Sequence, residues 1–421
     1  MYKKVASTFG IKIIVAILNL AIVIILSRLT GAEGKGEASL IITSIAMVLL
    51  FCNMIGGASL VYFVPRYNTF LLFFLSNVWS VFMALIAFAT LKFFPALPEQ
   101  FVTPVVILSL INSFLATNLS ILLGKEKIMS NNYISLLQTV INLLVLLVLL
   151  KGFGQTDISA YINSLYAAMG ICLLTSTLLI VPYLKEVSFR GSKSLLYQLA
   201  KLGLLNQAGH ILKFMSFRIS YYALASYSGE AVLGVYSNGI SLIESLLLIS
   251  NSFAAVLYPK IANSTDIKLA QTLTLQMTKM SIIFCILALI PLLLLPSEFW
   301  VWLFGNEFNG VRQVIILLSP GIVFFNITLI IGHYFSGTGK YSINMIASFI
   351  GLLITLIASL LVIPHYGIME ASIISTLSYL GIALVIMLYF AKEAQIKVWQ
   401  LLPASSDFAW LKVQTKLFFN K

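Results

Sequence analysis

The sequence predicts an all-α integral membrane protein with about 12 transmembrane helices, arranged as two six-helix lobes. Three observations carry this reading. The composition is too apolar for water, positive charge is segregated between alternate connections, and a repeat joins the two halves. Of 421 residues 60% are hydrophobic and 10% charged, with mean hydropathy +1.01. A soluble domain is about a quarter charged. With so little polar surface the bilayer has to be the solvent, which excludes a soluble enzyme, a DNA-binding module and a disordered chain. A span takes about 20 apolar residues plus a connection, so this length leaves no sizeable soluble domain.

Apolar runs broken by charge, Gly and Pro place the spans at 9–29, 39–63, 70–94, 101–123, 132–150, 158–183, 202–226, 235–257, 278–297, 312–335, 341–363 and 368–391. Lys3 and Lys4 precede the first run as they would in a signal peptide, but no small-residue cleavage site follows, so the run reads as a retained span. An even number of spans puts both termini on one side. With the termini cytoplasmic, the inner segments hold 18 Lys and Arg and the outer ones 4, namely Lys35, Lys92, Lys151 and Arg312. Acidic residues run the other way, 5 inside and 8 outside. This is the positive-inside pattern, spread over nearly every loop. The net charge of +12 is therefore a topology signal and a match to an anionic inner leaflet, with no nucleic-acid partner implied. The tail after Ala391, with Trp399, Trp410 and spaced lysines, reads as a segment lying on that leaflet. The expected organisation is an N-terminal lobe at 1–184, a cytoplasmic linker at 185–201, a C-terminal lobe at 202–391 and an interfacial tail at 392–421.

The repeat shows where the spans turn. Gly31, Gly36 and Ser39 after span 1 match Gly229, Gly234 and Ser237 after span 7, at an offset of 198 (234 − 36). Gly124-Lys125 before span 5 resembles Gly339-Lys340 before span 11 at an offset of 215, and Gly154 and Gly367 precede spans 6 and 12 alike. The longer inner connection at 259–277 accounts for most of the growth. Two parallel six-helix repeats are a transporter plan, with substrate held between lobes near the midplane.

Other chemistries lack their residues. Gly124-Lys125-Glu126 and Gly339-Lys340-Tyr341 have neither the upstream Gly nor the hydroxyl of a phosphate loop, so no ATP motor is expected. His210, His333 and His365 lack metal-ligand spacing, and Cys52, Cys172 and Cys285 sit in apolar runs as small hydrophobes. No cofactor or metal is expected. The longest outer segment, about 298–311, offers only Glu298 and Glu307, thin material for an enzyme.

Ionisable groups at bilayer depth cost on the order of 2.5–3.5 kcal/mol each and need a reason to be there. Five stand out: Lys12, Arg28, Lys213, Arg218 and Glu244. Lys12 and Arg28 lie near the ends of span 1, where snorkelling is an alternative. Lys213 is near the middle of span 7, and Asn206, His210 and Lys213 form one stripe at i, i+4 and i+7. Arg218 points away from that stripe. Glu244, deep in span 8, is either an ion-pair partner for Lys213 or Arg218 or a proton or cation site. His210 matches Lys12 at the 198 offset, so both repeats place a basic nitrogen at one depth. Polar stripes at Ser135/Gln138/Asn142, Ser319/Asn326/His333 and Asn344/Ser348/Thr355/Ser359 suit a wetted cavity, with interhelical hydrogen bonding as the alternative. Four intramembrane cations against one acid favour an anionic cargo, and an anion leaving a negative interior moves with the field.

The stretch Leu26-Ser-Arg28-Leu-Thr-Gly31-Ala-Glu-Gly34-Lys-Gly36-Glu resembles the end of the first helix in polysaccharide and O-antigen flippases of the multidrug/oligosaccharidyl-lipid/polysaccharide exporter superfamily. Gly367-Ile-Met-Glu-Ala-Ser is similar to that family's Gly-x-x-Gly-Ala, with Glu370 in place of the second Gly. The resemblance covers almost the whole chain as 6+6 helices. It implies a MATE-like V-shaped architecture in a bacterial cytoplasmic membrane, acting as a monomer. It implies a flippase that moves an undecaprenyl-pyrophosphate-linked oligosaccharide from the inner to the outer leaflet. Lys213 and Arg218 would meet the pyrophosphate, with Arg28 and Lys12 as weaker candidates. Its partners are then this cargo, membrane lipids and a coupling proton or sodium ion. The alternative is a cation-coupled multidrug antiporter of the same superfamily, which would want carboxylates in spans 1–6; there are none.

Overall fold

Several helix breaks among the described residues occur where a residue, most often glycine, enters the left-handed region or a capping side chain reaches back. The computed structural model describes residues 2–93, 97–184, 192–262, 266–363 and 367–403. They form α1 (Tyr2–Cys52), α2 (Gly57–Phe63), α3 (Thr69–Phe93), α4 (Glu99–Gly124), α5 (Ile128–Leu147), α6 (Ile158–Ile180), α7 (Ser192–Ser228), α8 (Glu230–Ser245), α9 (Leu247–Ala262), α10 (Ile267–Leu294), α11 (Ser297–Phe304), α12 (Val311–Gly337), α13 (Tyr341–Val362) and α14 (Ile368–Ala394). Ten helical stretches among the described residues are long and apolar enough to cross a membrane. The first runs 54 residues, Gly10–Phe63, far beyond the ~20 one crossing needs, and holds predicted spans 1 and 2. The seventh predicted span, α7, is not among the ten. It carries Lys193, Lys201, Lys213 and Arg218.

Spans 1 and 2 meet without the expected loop. Gly31 (φ 73°, ψ −172°) is one non-helical residue between helical 2–30 and 32–52. Lys35, expected on an outer loop, is therefore helical and buried, and its Nζ donates to Ser39 Oγ at 2.8 Å. Its counterpart Gly229 (φ 90°) makes the same joint between α7 and α8. Only glycine takes this conformation without strain.

The repeat is visible in the hydrogen bonds. Asn68 Oδ1 caps α3 by accepting from Leu71 N, and Asp266 Oδ1 caps α10 by accepting from Leu269 N, still at the 198 offset. α4 and α12 end alike. The amides of Lys125, Glu126 and Lys127 donate to the carbonyls of Ile121, Leu123 and Leu122; those of Thr338, Gly339 and Lys340 donate to Tyr334, Ser336 and Phe335. Glu126 (φ 60°) and Gly339 (φ 78°) are the left-handed residues. The register here is 213 (367 − 154), which Gly154 and Gly367 share, and not the 215 inferred by matching Gly124 to Gly339. The growth between repeats also lies elsewhere than expected. The caps at Asn68 and Asp266 show that 259–277 adds nothing, because α9 and α10 extend into it. The insertion is α11 and the turn after it.

By contacts the chain forms two units, each described by itself. Unit 1 comprises Met1–Phe214, Leu224–Val235 and Leu303–Glu307. In it α4 packs on α3 and α6, α5 on α6, and α1 on α4 and α5. Leu60, Phe63, Leu72, Leu115, Ile121 and Cys172 are buried in its core. Gly203 of α7 lies on the Met54 carbonyl so closely that a Cβ has no room, and Gln207 Nε2 donates to Asn53 O at 3.5 Å. Unit 2 comprises Met215–Ala223, Tyr236–Trp302 and Phe308–Lys421. α12 is its axis, packed by α9, α10 and α14, with α13 on α14. Large apolar side chains remain exposed on the outside, among them Leu174, Leu178, Leu294 and Leu361, as expected of a surface solvated by lipid. Of the expected linker, 185–191 lies outside the described residues and 192–201 is the start of α7. Of the tail, 404–421 lies outside them.

Candidate functional site

Of the side chains selected from sequence, the structure brings Arg218 and Glu244 together, in unit 2. They lie on either side of the Gly229 joint, which turns α8 back along α7. Arg218 Nη1 donates to Glu244 Oε1 at 2.9 Å and Nη2 to Oε2 at 2.6 Å. This is a two-pronged, charge-assisted pair, the strongest geometry available to these groups. Each side chain keeps 20% of its surface accessible. Tyr379 Oη donates to Glu244 Oε1 at 3.3 Å, and the guanidinium lies 4.9 Å from the centre of the Tyr221 ring.

The surroundings hold this geometry. The Tyr379 ring sits edge-on to Phe217 at 4.9 Å and tilted against Phe325 at 5.1 Å. Ser216 Oγ and Ser378 Oγ are 2.8 Å apart, Ser378 Oγ donates to Gly351 O, and Thr355 Oγ1 donates to Ser216 O. One turn on, Tyr236 Oη shares a hydrogen bond with Ser375 Oγ at 2.7 Å and meets Ser220 Oγ at 3.4 Å. These hydroxyls clamp α7 on both sides of Arg218, against α13, α14 and α8. At Gly351 a Cβ would overlap Ile382, so α13 and α14 touch closely there.

The remaining candidates belong to unit 1. Lys213 is partly buried on the stretch of α7 that belongs to unit 1, His210 and Lys12 are exposed, and the Asn206 side chain is outside the described ones. Arg28 is exposed and its Nε donates to Leu303 O at 2.9 Å. Arg28 belongs to a second cluster, wholly within unit 1. There Glu307 Oε2 accepts from Ala32 N at 2.6 Å, capping the helix that starts after Gly31. A side chain at Gly31 would collide with that carboxylate. A Cβ on Gly36 would overlap the Glu230 carbonyl, and one on Gly234 the Ala32 carbonyl. Both contacts obey the 198 offset, so the two helix starts cross reciprocally, backbone on backbone. Leu303 and Glu307 come from the inserted segment.

Most members of the polar stripes hydrogen-bond within and between helices. Asn142 Oδ1 accepts from Ser164 Oγ at 2.7 Å; Asn326 Oδ1 accepts from Ser281 Oγ at 3.3 Å, and its Nδ2 donates to Cys285 Sγ at 2.8 Å; Asn344 Nδ2 donates to Gly332 O and Ser336 Oγ. The interhelical alternative describes these bonds, not a wetted wall. Sequence reasoning passed over Tyr379 and placed Glu307 only on an outer segment, without its role as a cap. Tyr379 had a signal, because Ser372, Ser375 and Tyr379 recur at helical spacing in span 12. Glu307 had none, as its partner is a backbone amide set far away in sequence.

No protein-family model matches the chain. It is 30% identical over 173 residues to the capsular polysaccharide biosynthesis protein CapF of Staphylococcus aureus, covering 40% of this chain and 43% of that protein. It is 22% identical over 227 residues to Agl15 of Haloferax volcanii, a probable low-salt glycan biosynthesis flippase, covering 53% and 47%. The chain thus spans under half the length of these curated relatives. Among solved structures it matches an inward-facing multidrug resistance MATE family transporter of the MOP superfamily with TM-score 0.73 and 13% identity, over 90% of this chain and 94% of that one. It matches the lipid II flippase MurJ in an inward closed conformation, also with TM-score 0.73 and 13% identity, over 94% and 89%. The fold is that of these transporters.

Proposed function

We propose that this chain, with the fold shared by MATE transporters and the lipid II flippase, is a flippase for a lipid-linked oligosaccharide. It would carry an undecaprenyl-pyrophosphate-linked glycan from the inner to the outer leaflet of a bacterial cytoplasmic membrane by alternating access. The lobes would be 1–184 and 202–391, both termini cytoplasmic, and the unit a monomer. One observation supports this cargo over a cationic drug. Glu244, the only acid deep in a predicted span, has both oxygens engaged by Arg218. Among the described residues no other carboxylate lies deep in a predicted span to attract a cation, whereas Lys213, Arg218, His210, Arg28, Lys12 and the amide of Asn206 supply groups for an anion. The names of the two curated relatives point the same way.

Surface glycan in cells whose own flippase is replaced by this chain tests the reading. Lys213→Ala and Arg218→Ala should each reduce export severely while the protein still reaches the membrane. Wild-type export in both variants overturns the cationic site. Export of a cationic dye without glycan export would favour the antiporter.

A further inference from the structure

The Arg218–Glu244 pair has features that a structural strut does not need. The fold supplies the equivalent place in the first repeat without it, because the 198 offset puts Leu20 and Ala46 there. The pair is not sealed, since a fifth of each side chain stays accessible. Glu244 also has a second holder. Tyr379 donates to Oε1, and its ring is fixed by Phe217 and Phe325 independently of Arg218. The fork of guanidinium donors that fits a carboxylate fits a phosphate equally well.

We propose that Glu244 is a resting stand-in for the cargo anion, so that a phosphate group binds Arg218 by displacing Glu244, which takes up one proton as it leaves. This rests on the anionic-cargo reading above and adds its coupling. Before exchange, Arg218 and Glu244 neutralise each other. A phosphate arriving at Arg218 would face an unpaired, partly buried carboxylate at short range, and like charges there are disfavoured. A proton from the aqueous phase on Oε2, the oxygen that Tyr379 does not hold, removes this repulsion. The charge of the phosphate then replaces that of Glu244, and Tyr379 still donates to the other oxygen. Among the described residues the ionisable groups around Glu244 include Arg218 and Tyr221 from α7, Tyr236 from α8 and Tyr379 from α14. Tyr236 is already bonded to Ser375, which leaves Tyr379 to retain the acid. Tyr379 and Tyr221 are positioning residues, one for Glu244 and one for the guanidinium.

The full chain in zwitterionic nanodiscs, titrated with inorganic pyrophosphate and with sulfate, tests this. Glu244→Gln keeps the side-chain shape and the Tyr379 bond but removes the competing charge. It should bind pyrophosphate about tenfold more tightly than wild type near neutral pH, and Arg218→Ala should not bind it. Sulfate does not titrate in this range. Its affinity for wild type should rise as pH falls, and the slope should vanish in Glu244→Gln. Tyr379→Phe should shift that pH profile while leaving sulfate affinity at low pH intact, which a merely structural tyrosine would not do. Equal pyrophosphate affinity in wild type and Glu244→Gln, or a flat wild-type sulfate profile, overturns the exchange. The wild-type profile suffices should Glu244→Gln not fold. Glycan export is read separately. Anion exchange without glycan export breaks only the cargo assignment, and Arg218-dependent export without exchange breaks only this inference.

Discussion

Leu20 and Ala46 stand in the first half of the chain where Arg218 and Glu244 stand in the second. Around these positions the halves are built alike. Each turns from its first long helix into the next at a left-handed glycine, caps its third predicted span with an Asn or Asp side chain, and ends its fourth with one set of three amide bonds. The recurring parts are backbone geometry. The differing parts are the ion pair and the inserted α11 segment, whose Leu303 and Glu307 reach the Gly31 joint. The first half thus builds the same joint and caps with Leu20 and Ala46 in place of the pair.

Four experiments break or sharpen this contrast. The largest effect belongs to the shared crossing. Gly36→Leu or Gly234→Leu drives a side chain into a carbonyl, and overpacking of this kind costs about 3 kcal/mol or more. Both variants should lose most of the monodisperse peak on size exclusion, with similar severity because the contacts are reciprocal. Next comes the unshared pair. Arg218→Ala alone strands Glu244 and should destabilise by about 3–5 kcal/mol. The double variant Arg218→Leu with Glu244→Ala gives the second half the residues of the first. Its thermal stability should return to wild type or exceed it by up to about 4 kcal/mol, with export still absent. A double variant as unstable as the single one would make the pair structural.

Smaller effects attend the insertion. Glu307→Ala removes the cap on Ala32 and should cost about 1–2 kcal/mol, read as faster amide exchange over residues 32–36. The smallest concerns Glu126, which occupies the left-handed site that Gly339 fills in the second half. Glu126→Gly should stabilise α4 by up to about 1 kcal/mol and Gly339→Ala destabilise α12 by a similar amount, each seen as a shift in melting temperature.

The spans were legible because the bilayer filters sequence so strictly. Apolar run and helix coincide within a few residues for α3 to α6 and α12 to α14, whereas α7 and α10 begin about ten residues before their runs, and the glycines at 31 and 229 announced both joints. Legibility failed where backbone continuity hid a turn. Gly31 alone separates two helices, so the polar run 32–38, read as loop, is helix, and Lys35 lies inside. It failed again where residue identity stood in for conformation. Matching Gly124 to Gly339 missed the true register because Glu126, not Gly124, adopts the left-handed turn. At the site, Arg218 and Glu244 were both marked by their depth, but their pairing was one alternative among several.

Composition and periodicity determined that this chain is built of long apolar helices suited to lipid and where most of them begin and end, because apolar length and local backbone preference act within one helix. Which cation meets the single deep acid, which tyrosine holds it, and which loop caps which helix depend on how helices rotate and pack against one another. Those contacts are set by ring, hydroxyl and glycine fits between segments far apart in sequence, such as Phe217 with Tyr379 and Ala32 with Glu307, and only the folded arrangement decides them.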